Sequence, residues 1–413
     1  MGDIRINSFK DDNRYNGFDG VLCFGGVDWW YHNRAHSDVQ MMLKMSEKLP
    51  VLFVNSIGMR TPLPGRCTQP AKRIFRKLFS ILKGLRKVGR KMWVYSPLML
   101  PPSSSPLVRR INARLIAFQV CRALKHIGIS RWFTWVTVPT AVDVLDFLPG
   151  TVTVFNRSDK HCKFPEANED FIKLCEEKLL KASDAVLYVN RKLMAEDIGV
   201  NTRKYYIGHG VDYDHFIGAN RDDEAVRQEL SGLKRPIIGF FGAIDDYTVD
   251  VKLLKFAAQS LPDMSFLLIG LSTVDISDIT SLPNVRYLGF KPYADIPKFG
   301  VSFDVGIMPW LQNEWIEYCN PVKLKEYLAL GLPVVTTPIP QACEYSGLLH
   351  VTNTFEEFVQ AIRDAIVTDN DHLRQLRKKA VENDSWQCKA AEVLEIVQKI
   401  TDSTLMLNPT KIR

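Results

Sequence analysis

The eight cysteines of this chain are scattered, and none sits in a Cys-x-x-Cys pair. A structural zinc site is therefore not expected. No charged-then-apolar leader opens the chain, and no run of about 18 uninterrupted apolar residues occurs, so neither secretion nor a membrane span is expected. A chain of this size without a secretion signal is expected to keep its thiols reduced, in the cytosol. No Gly-x-Gly-x-x-Gly follows the first strand-like run, which weighs against a dinucleotide oxidoreductase. No Gly-x-Ser-x-Gly is present, which weighs against a hydrolase of that type. Acidic residues are absent from positions 71–91, where nine residues are basic.

The 413 residues exceed what one hydrophobic core organises, so two domains are expected. With 46% hydrophobic and 24% charged residues the composition is that of a globular protein. The net charge of +7 matters only where it clusters. It clusters in the stretch 71–91, where Ile74, Phe75, Leu78, Phe79, Leu82 and Leu85 recur at helical spacing among Lys72, Arg73, Arg76, Lys77, Lys83, Arg86 and Lys87. A basic amphipathic helix suits an anionic membrane surface. The competing reading is a helix that packs its apolar face on the domain and solvates its charges. Nucleic acid is not expected, because no aromatic stacking platform accompanies the charge.

Strand-like and helix-like runs alternate along the chain, the pattern of parallel α/β sheets. The run Gly20–Phe24 ends in Gly25-Gly26, where backbone can approach a ligand closely, and Arg34 lies in the loop beyond. A later run, Val152–Phe155, leads into Asn156-Arg157-Ser158-Asp159-Lys160-His161. Ligands bind at the carboxyl ends of strands in open α/β sheets, and Asp159 and His161 can each take or give a proton. The polar segment 220–234 suits a linker. A second α/β half begins with Pro236–Gly242, again a buried strand ending in glycine.

The stretch 320–337 carries the strongest signal in the second half. Asn320 and Pro321 suit the start of a helix, and Gly331 with Pro333 stops it before Val334-Val335. Free amides at Asn320, Val322 and Lys323, together with the helix dipole, suit an anionic group such as a pyrophosphate. Glu326 lies one turn on and can accept hydrogen bonds from sugar hydroxyls.

This stretch resembles the donor-site signature of GT-B glycosyltransferases, most like glycosyltransferase family 4. Gly208-His209-Gly210-Val211-Asp212 with His215-Phe216 is similar to the family's interdomain segment, with His209 where asparagine is usual. Positions 151–165 and Ser385-Trp386 resemble a bacterial surface-polysaccharide subgroup that includes teichuronic-acid-type enzymes. The resemblance implies an α/β chain of two Rossmann-like domains facing a cleft. Residues 1–215 would bind the acceptor, completed by helix 386–413, and residues 216–385 would bind the nucleotide sugar. It implies transfer of a sugar from a nucleotide-diphosphate sugar to a hydroxyl of a lipid-linked or membrane-proximal saccharide, with no cofactor or metal and with retention of configuration. Asp212-Tyr213-Asp214 has the spacing of a metal triplet but falls in the linker-like turn. In the implied site Gly242, Lys323 and the amides hold the diphosphate, Glu326 holds the ribose, and Asp159 then His161 serve the acceptor. The family commonly has two glutamates eight positions apart here; Glu326 matches the second, but Tyr318 occupies the first place. Asn320 and Glu317 are the candidates to replace it. An epimerase of the same fold and an inactive membrane-bound binder are the alternatives. The expected location is the inner face of the cytoplasmic membrane.

Overall fold

Continuous apolar runs form strands buried on both faces, as parallel sheets require. A computed structural model describes residues 17–31, 36–57, 70–101, 105–150, 152–163, 168–199, 203–220 and 223–407. Its first sheet contains β1 (Gly20–Phe24), β2 (Val51–Val54), β3 (Arg86–Lys87), β4 (Met92–Tyr95), β5 (Trp132–Val136), β6 (Thr153–Arg157), β7 (Ala185–Tyr188) and β8 (Lys204–Tyr206). Their order is β3-β4-β2-β1-β5-β6-β7-β8, and only the β3–β4 pair is antiparallel. The second sheet contains β9 (Ile237–Phe241), β10 (Ser265–Ile269), β11 (Val285–Tyr287), β12 (Val305–Met308), β13 (Val334–Thr336) and β14 (Leu349–Val351). These run parallel in the order β11-β10-β9-β12-β13-β14. The expected α/β class with two Rossmann-like domains is what forms.

Each sheet reverses its winding beside its first strand: β1 lies between β2 and β5, and β9 between β10 and β12. At such a switch point the carboxyl ends of the strands open a crevice. That places the segments after β1, β5, β6, β9 and β12 where a ligand can reach them.

The chain passes between the domains twice, side by side. The Val211 N–H donates to Asp384 O at 2.9 Å, and the Trp386 N–H to Val211 O at 3.0 Å. The buried Lys325 ammonium braces this crossing, donating to His209 O at 2.6 Å and lying 2.9 Å from Asp384. The helix Trp386–Leu407 then returns to the first sheet. There Trp386, Val393, Leu394 and Val397 pack with Val39, Met42 and Met45 of the helix Ser37–Lys48. Each such apolar side chain contributes about 1.5–3 kcal/mol.

Two expected elements differ. The basic stretch, expected to stay helical to Lys91, is a helix only over Pro70–Lys83. Gly84 takes φ +58°, and Arg86-Lys87 leave as an edge strand beside β4. The helix of the 320–337 stretch spans Val322–Ala329, with Pro321 at the capping position and no side-chain cap bond. Asn320, expected to cap it, instead reaches the first domain and donates through Nδ2 to Val189 O. Gly331, at φ +79°, ends the helix as the sequence predicts, its N–H bonded to Leu328 O at 2.9 Å.

Candidate active site

The second domain builds its half around the end of β9. Gly242 takes φ +135°, and a Cβ there would fall 2.5 Å from Lys323 Nζ. Only glycine therefore lets the lysine lie across the strand end. The Lys323 ammonium sits 4.0 Å from the Phe240 ring centroid and 5.7 Å from that of Trp310. Burial pushes its amine down to about 8, opposed by the nearby Glu326 and Asp245 carboxylates. Asp245 is itself buried, with Oδ1 accepting from Thr248 N at 2.7 Å and Tyr247 N at 3.3 Å.

Glu326 lies one helical turn beyond Lys323 and is buried. Its Oε1 accepts from the Tyr293 hydroxyl at 3.0 Å. Burial pushes its carboxyl up to about 7; the Tyr293 bond and Lys323 oppose this, and Asp212 adds to it. The two groups thus lie close to their midpoints near neutral pH, a pattern common where a charged ligand completes the electrostatics. No side chain caps the first turn of this helix, so its amide end is open to an anion.

The first domain contributes Asp159, just beyond β6. Its Oδ2 accepts from Ser158 Oγ at 3.2 Å. Burial raises its carboxyl above the ordinary value, while His161, His36 and the Ser158 bond pull it down and Asp38 pushes it up. The Cys319 thiol, raised by burial, is raised further by Asp159 from the first domain and by Asp245 from the second. Both carboxylates thus act on the same thiol.

Asp38 and His36 are the neighbours of Asp159 that sequence reasoning missed. Asp38 is fully buried and accepts from Gly26 N at 2.9 Å, Thr137 Oγ1 at 2.6 Å and Asn156 Nδ2 at 3.2 Å. One carboxylate thus gathers the ends of β1, β5 and β6. Its own N–H donates to His36 Nδ1 at 3.3 Å, which makes His36 the cap of the first helix. An acid two residues into a helix after a glycine pair was the available signal.

His161, expected to join Asp159 in proton transfer, is directed elsewhere. It is buried, with Nδ1 3.5 Å from Glu176 Oε1, and its backbone N–H donates to the same oxygen at 2.9 Å. Against burial, the His161 bond and Arg157 hold the Glu176 carboxyl down at about 2. This is an internal ion-pair cluster that anchors the loop. Gly25 has a packing reason, since a Cβ there would strike the Phe53 ring at 2.2 Å. Arg34 lies outside the described residues. Both candidates for the missing glutamate bond to the first domain: Asn320 donates to Val189 O, and Glu317 pairs with Lys192.

The basic helix Pro70–Lys83 sits on its polar edge. Ser80 is buried in a cluster with Ser96 Oγ at 2.7 Å and Asn55 Nδ2 at 3.2 Å, and Lys77 donates to Ser56 O at 2.7 Å. Its apolar side faces out, with Phe75 61%, Leu78 52%, Phe79 59% and Leu82 78% exposed. Lys77 and Lys83, expected as outward charges, turn to the protein; Lys83 Nζ lies 4.2 Å over the Trp30 ring. Arg76 stays exposed, 5.4 Å over Tyr31. Of the other expected contacts, Arg86 and Lys87 are exposed on β3, and the side chains of Lys72 and Arg73 lie outside the described set. Beside this helix a cavity of about 1150 Å³ opens between the domains, lined by Trp30, Tyr31, Lys44, Asp212, Phe290 and Tyr293. Through Tyr293 it joins the Glu326 site. Among the described residues no helix is long and apolar enough to cross a membrane. Among them, too, no group of three or more His, Cys, Asp or Glu could hold a metal.

Residues 235–368 match the family described as Glycosyl transferases group 1. The chain is 25% identical over 246 residues to the Bacillus subtilis (strain 168) protein named as teichuronic acid biosynthesis glycosyltransferase TuaH. That match covers 56% of this chain and 60% of the relative's length. Sucrose-phosphate synthase from Thermosynechococcus elongatus superposes with a TM-score of 0.68 at 12% identity, over 93% of this chain and 100% of that one. Anabaena HepE, solved in complex with UDP and glucose, gives 0.59 at 14% identity, over 94% and 99%. The fold is GT-B, as the sequence resemblance implies.

Proposed function

We propose that this chain, a GT-B fold whose second domain is of the glycosyl transferases group 1 type, is a glycosyltransferase. It moves a sugar from a nucleotide-diphosphate sugar to a hydroxyl of a lipid-linked or membrane-proximal saccharide in surface-polysaccharide synthesis. The observation that carries the reading is Lys323 lying on Gly242, with Glu326 and Tyr293 one turn away and Asp159 across the cleft. In this reading residues 216–385 hold the donor, and residues 1–215 with the last helix bind the acceptor.

In the transfer, the bond from the sugar's anomeric carbon to the diphosphate oxygen breaks, and the electron pair leaves with the diphosphate. Lys323 and the open amides of the helix Val322–Ala329 stabilise that growing charge without a metal. Glu326 holds the ribose hydroxyls. The acceptor oxygen bonds to the anomeric carbon and loses its proton. Retention follows if the proton goes to the departing diphosphate while Asp159 supports the positive charge on the sugar. Inversion follows if Asp159 takes the proton, a role its raised carboxyl suits.

The outward apolar side of the helix Pro70–Lys83, flanked by Arg76, supports a peripheral seat on an anionic membrane, at its inner face. The deciding experiment incubates the protein with a panel of nucleotide sugars, UDP sugars first because HepE holds UDP. Nucleoside diphosphate released only when a saccharide acceptor is present is the expected result. Conversion of the donor sugar without acceptor points to an epimerase. No turnover with any donor, together with no nucleotide binding, refutes the reading. The anomer of the product separates retention from inversion.

A further inference from the structure

Tyr318 precedes the donor-side helix and belongs by sequence to the second domain, yet its ring is buried in the first domain. It is 7% exposed within the apolar cluster that contains Val186, Tyr188 and Leu193. Lys160 Nζ lies 4.2 Å from its ring centroid and Lys192 Nζ 4.9 Å. The hydroxyl donates to Glu196 Oε1 at 2.6 Å and accepts from Lys160 Nζ at 3.0 Å. Lys160 also lies 3.2 Å from Glu196 Oε2. Backbone on either side is held as well, since Asn190 Nδ2 donates to Glu317 O at 3.2 Å and Lys192 pairs with the Glu317 carboxylate.

Lys160 directly follows Asp159 in the chain. Tethering the Lys160 side chain therefore restrains the backbone next to Asp159. A salt bridge between the partly exposed Lys160 and Glu196 would do this weakly on its own. The hydroxyl adds two charge-assisted hydrogen bonds of defined direction, and the buried ring supplies a rigid post from the other side of the cleft. A glutamate at this position could not bond Glu196 without like-charge repulsion.

We propose that Tyr318 is a positioning residue: by holding Lys160 and Glu196 across the cleft, it sets Asp159 opposite the Lys323 end of the donor-side helix. This rests on the glycosyltransferase reading. Position 318, where the family resemblance implies a glutamate, here joins the two domains instead.

Tyr318→Phe keeps the ring and removes the hydroxyl. The expected result is a kcat about tenfold or more lower, as small misplacements of reacting groups produce, with unchanged UDP affinity and a melting temperature lower by about 2–4 °C. Backbone hydrogen exchange across 158–163 should quicken in the same variant. Glu196→Gln, which can still accept from the hydroxyl, should retain more kcat than Glu196→Ala. Tyr318→Glu should not restore the parent rate. A Phe variant with parental kcat and parental exchange at 158–163 overturns the proposal, as does a loss confined to UDP affinity. The exchange measurement needs no turnover. A protein that transfers no sugar and binds no nucleotide therefore refutes the proposed function, while the positioning of Asp159 is still decided by exchange.

Discussion

Replacing Lys323 with Met sets folding against binding, because the two act on the ammonium in opposite directions. Burial holds the Lys323 amine at about 8, against 10.5 for the free group. At neutral pH the charged form is therefore disfavoured by roughly 3 kcal/mol, at about 1.36 kcal/mol for each pH unit of displacement. The side chain retains some solvent contact and lies over the Phe240 ring, which offsets part of that cost and leaves about 1–2 kcal/mol. Met fills much of the same space without the charge. The unliganded variant should therefore melt about 2–6 °C higher than the parent. The sign also appears in the pH dependence. The folded amine sheds its proton more readily than the unfolded one, so the parent gains stability as pH rises from about 8 towards 10.5. The Met variant should lack that gain. Nucleotide binding responds the other way. Removing the cation that faces a diphosphate costs about 2–5 kcal/mol, or roughly thirtyfold to a few thousandfold in affinity. UDP at about 100 times the parent's dissociation constant stabilises the parent by about 2.7 kcal/mol and should stabilise the variant by no more than about 0.9 kcal/mol. Differential scanning fluorimetry with and without UDP reads both effects. A Met variant that melts below the parent yet keeps its UDP shift would show that Lys323 is a structural strut.

Glu326 and Lys323 together predict a narrow pH window for nucleotide affinity. It should rise as Glu326 ionises near pH 7 and fall as Lys323 loses its charge near pH 8. Titration calorimetry across pH 6–9 checks this, and Glu326→Gln should abolish the rising limb only; a flat profile in the parent contradicts it. The raised Glu326 carboxyl also destabilises the unliganded fold as pH climbs from about 4.5 through 7, so the Gln variant should be the more stable at pH 8. Asp159→Asn should lower kcat by about a hundredfold or more while UDP affinity stays put, and a near-parental rate removes Asp159 from the chemistry. On anionic vesicles, Phe75→Asp with Phe79→Asp should cut binding at least about tenfold at any salt concentration, whereas Arg76→Glu should act mainly at low salt; sedimentation with vesicles that finds no loss for the Phe pair rejects the membrane seat.

What the sequence discloses and what it withholds divide along one physical line. A pattern that a segment satisfies by itself is legible. The apolar runs of β1, β9 and β12 could be placed because a strand buried on both faces needs nothing but apolar residues. The end of the helix Val322–Ala329 could be placed because Gly331 supplies the left-handed conformation locally. Lys323 and Glu326 could be put on one face from their spacing alone. A choice made by a distant partner is not legible. Amphipathic spacing in the helix Pro70–Lys83 says that two faces exist, but Ser80 and Lys77 select the inner one through Asn55, Ser96 and Ser56. Asp159 and His161 look equivalent two residues apart until Glu176, on another helix, claims the histidine. Asp38 reads as an ordinary early-helix acid until the ends of three strands converge on it. Tyr318 is the sharpest case. Read along the chain it is a missing carboxylate and counts against the site. Across the cleft, the same hydroxyl bonds the side chains of Glu196 and of Lys160, the residue after Asp159. A site assembled from two domains can exchange a residue in the donor half for one that orders the acceptor half. Such an exchange becomes visible only when both halves are in place.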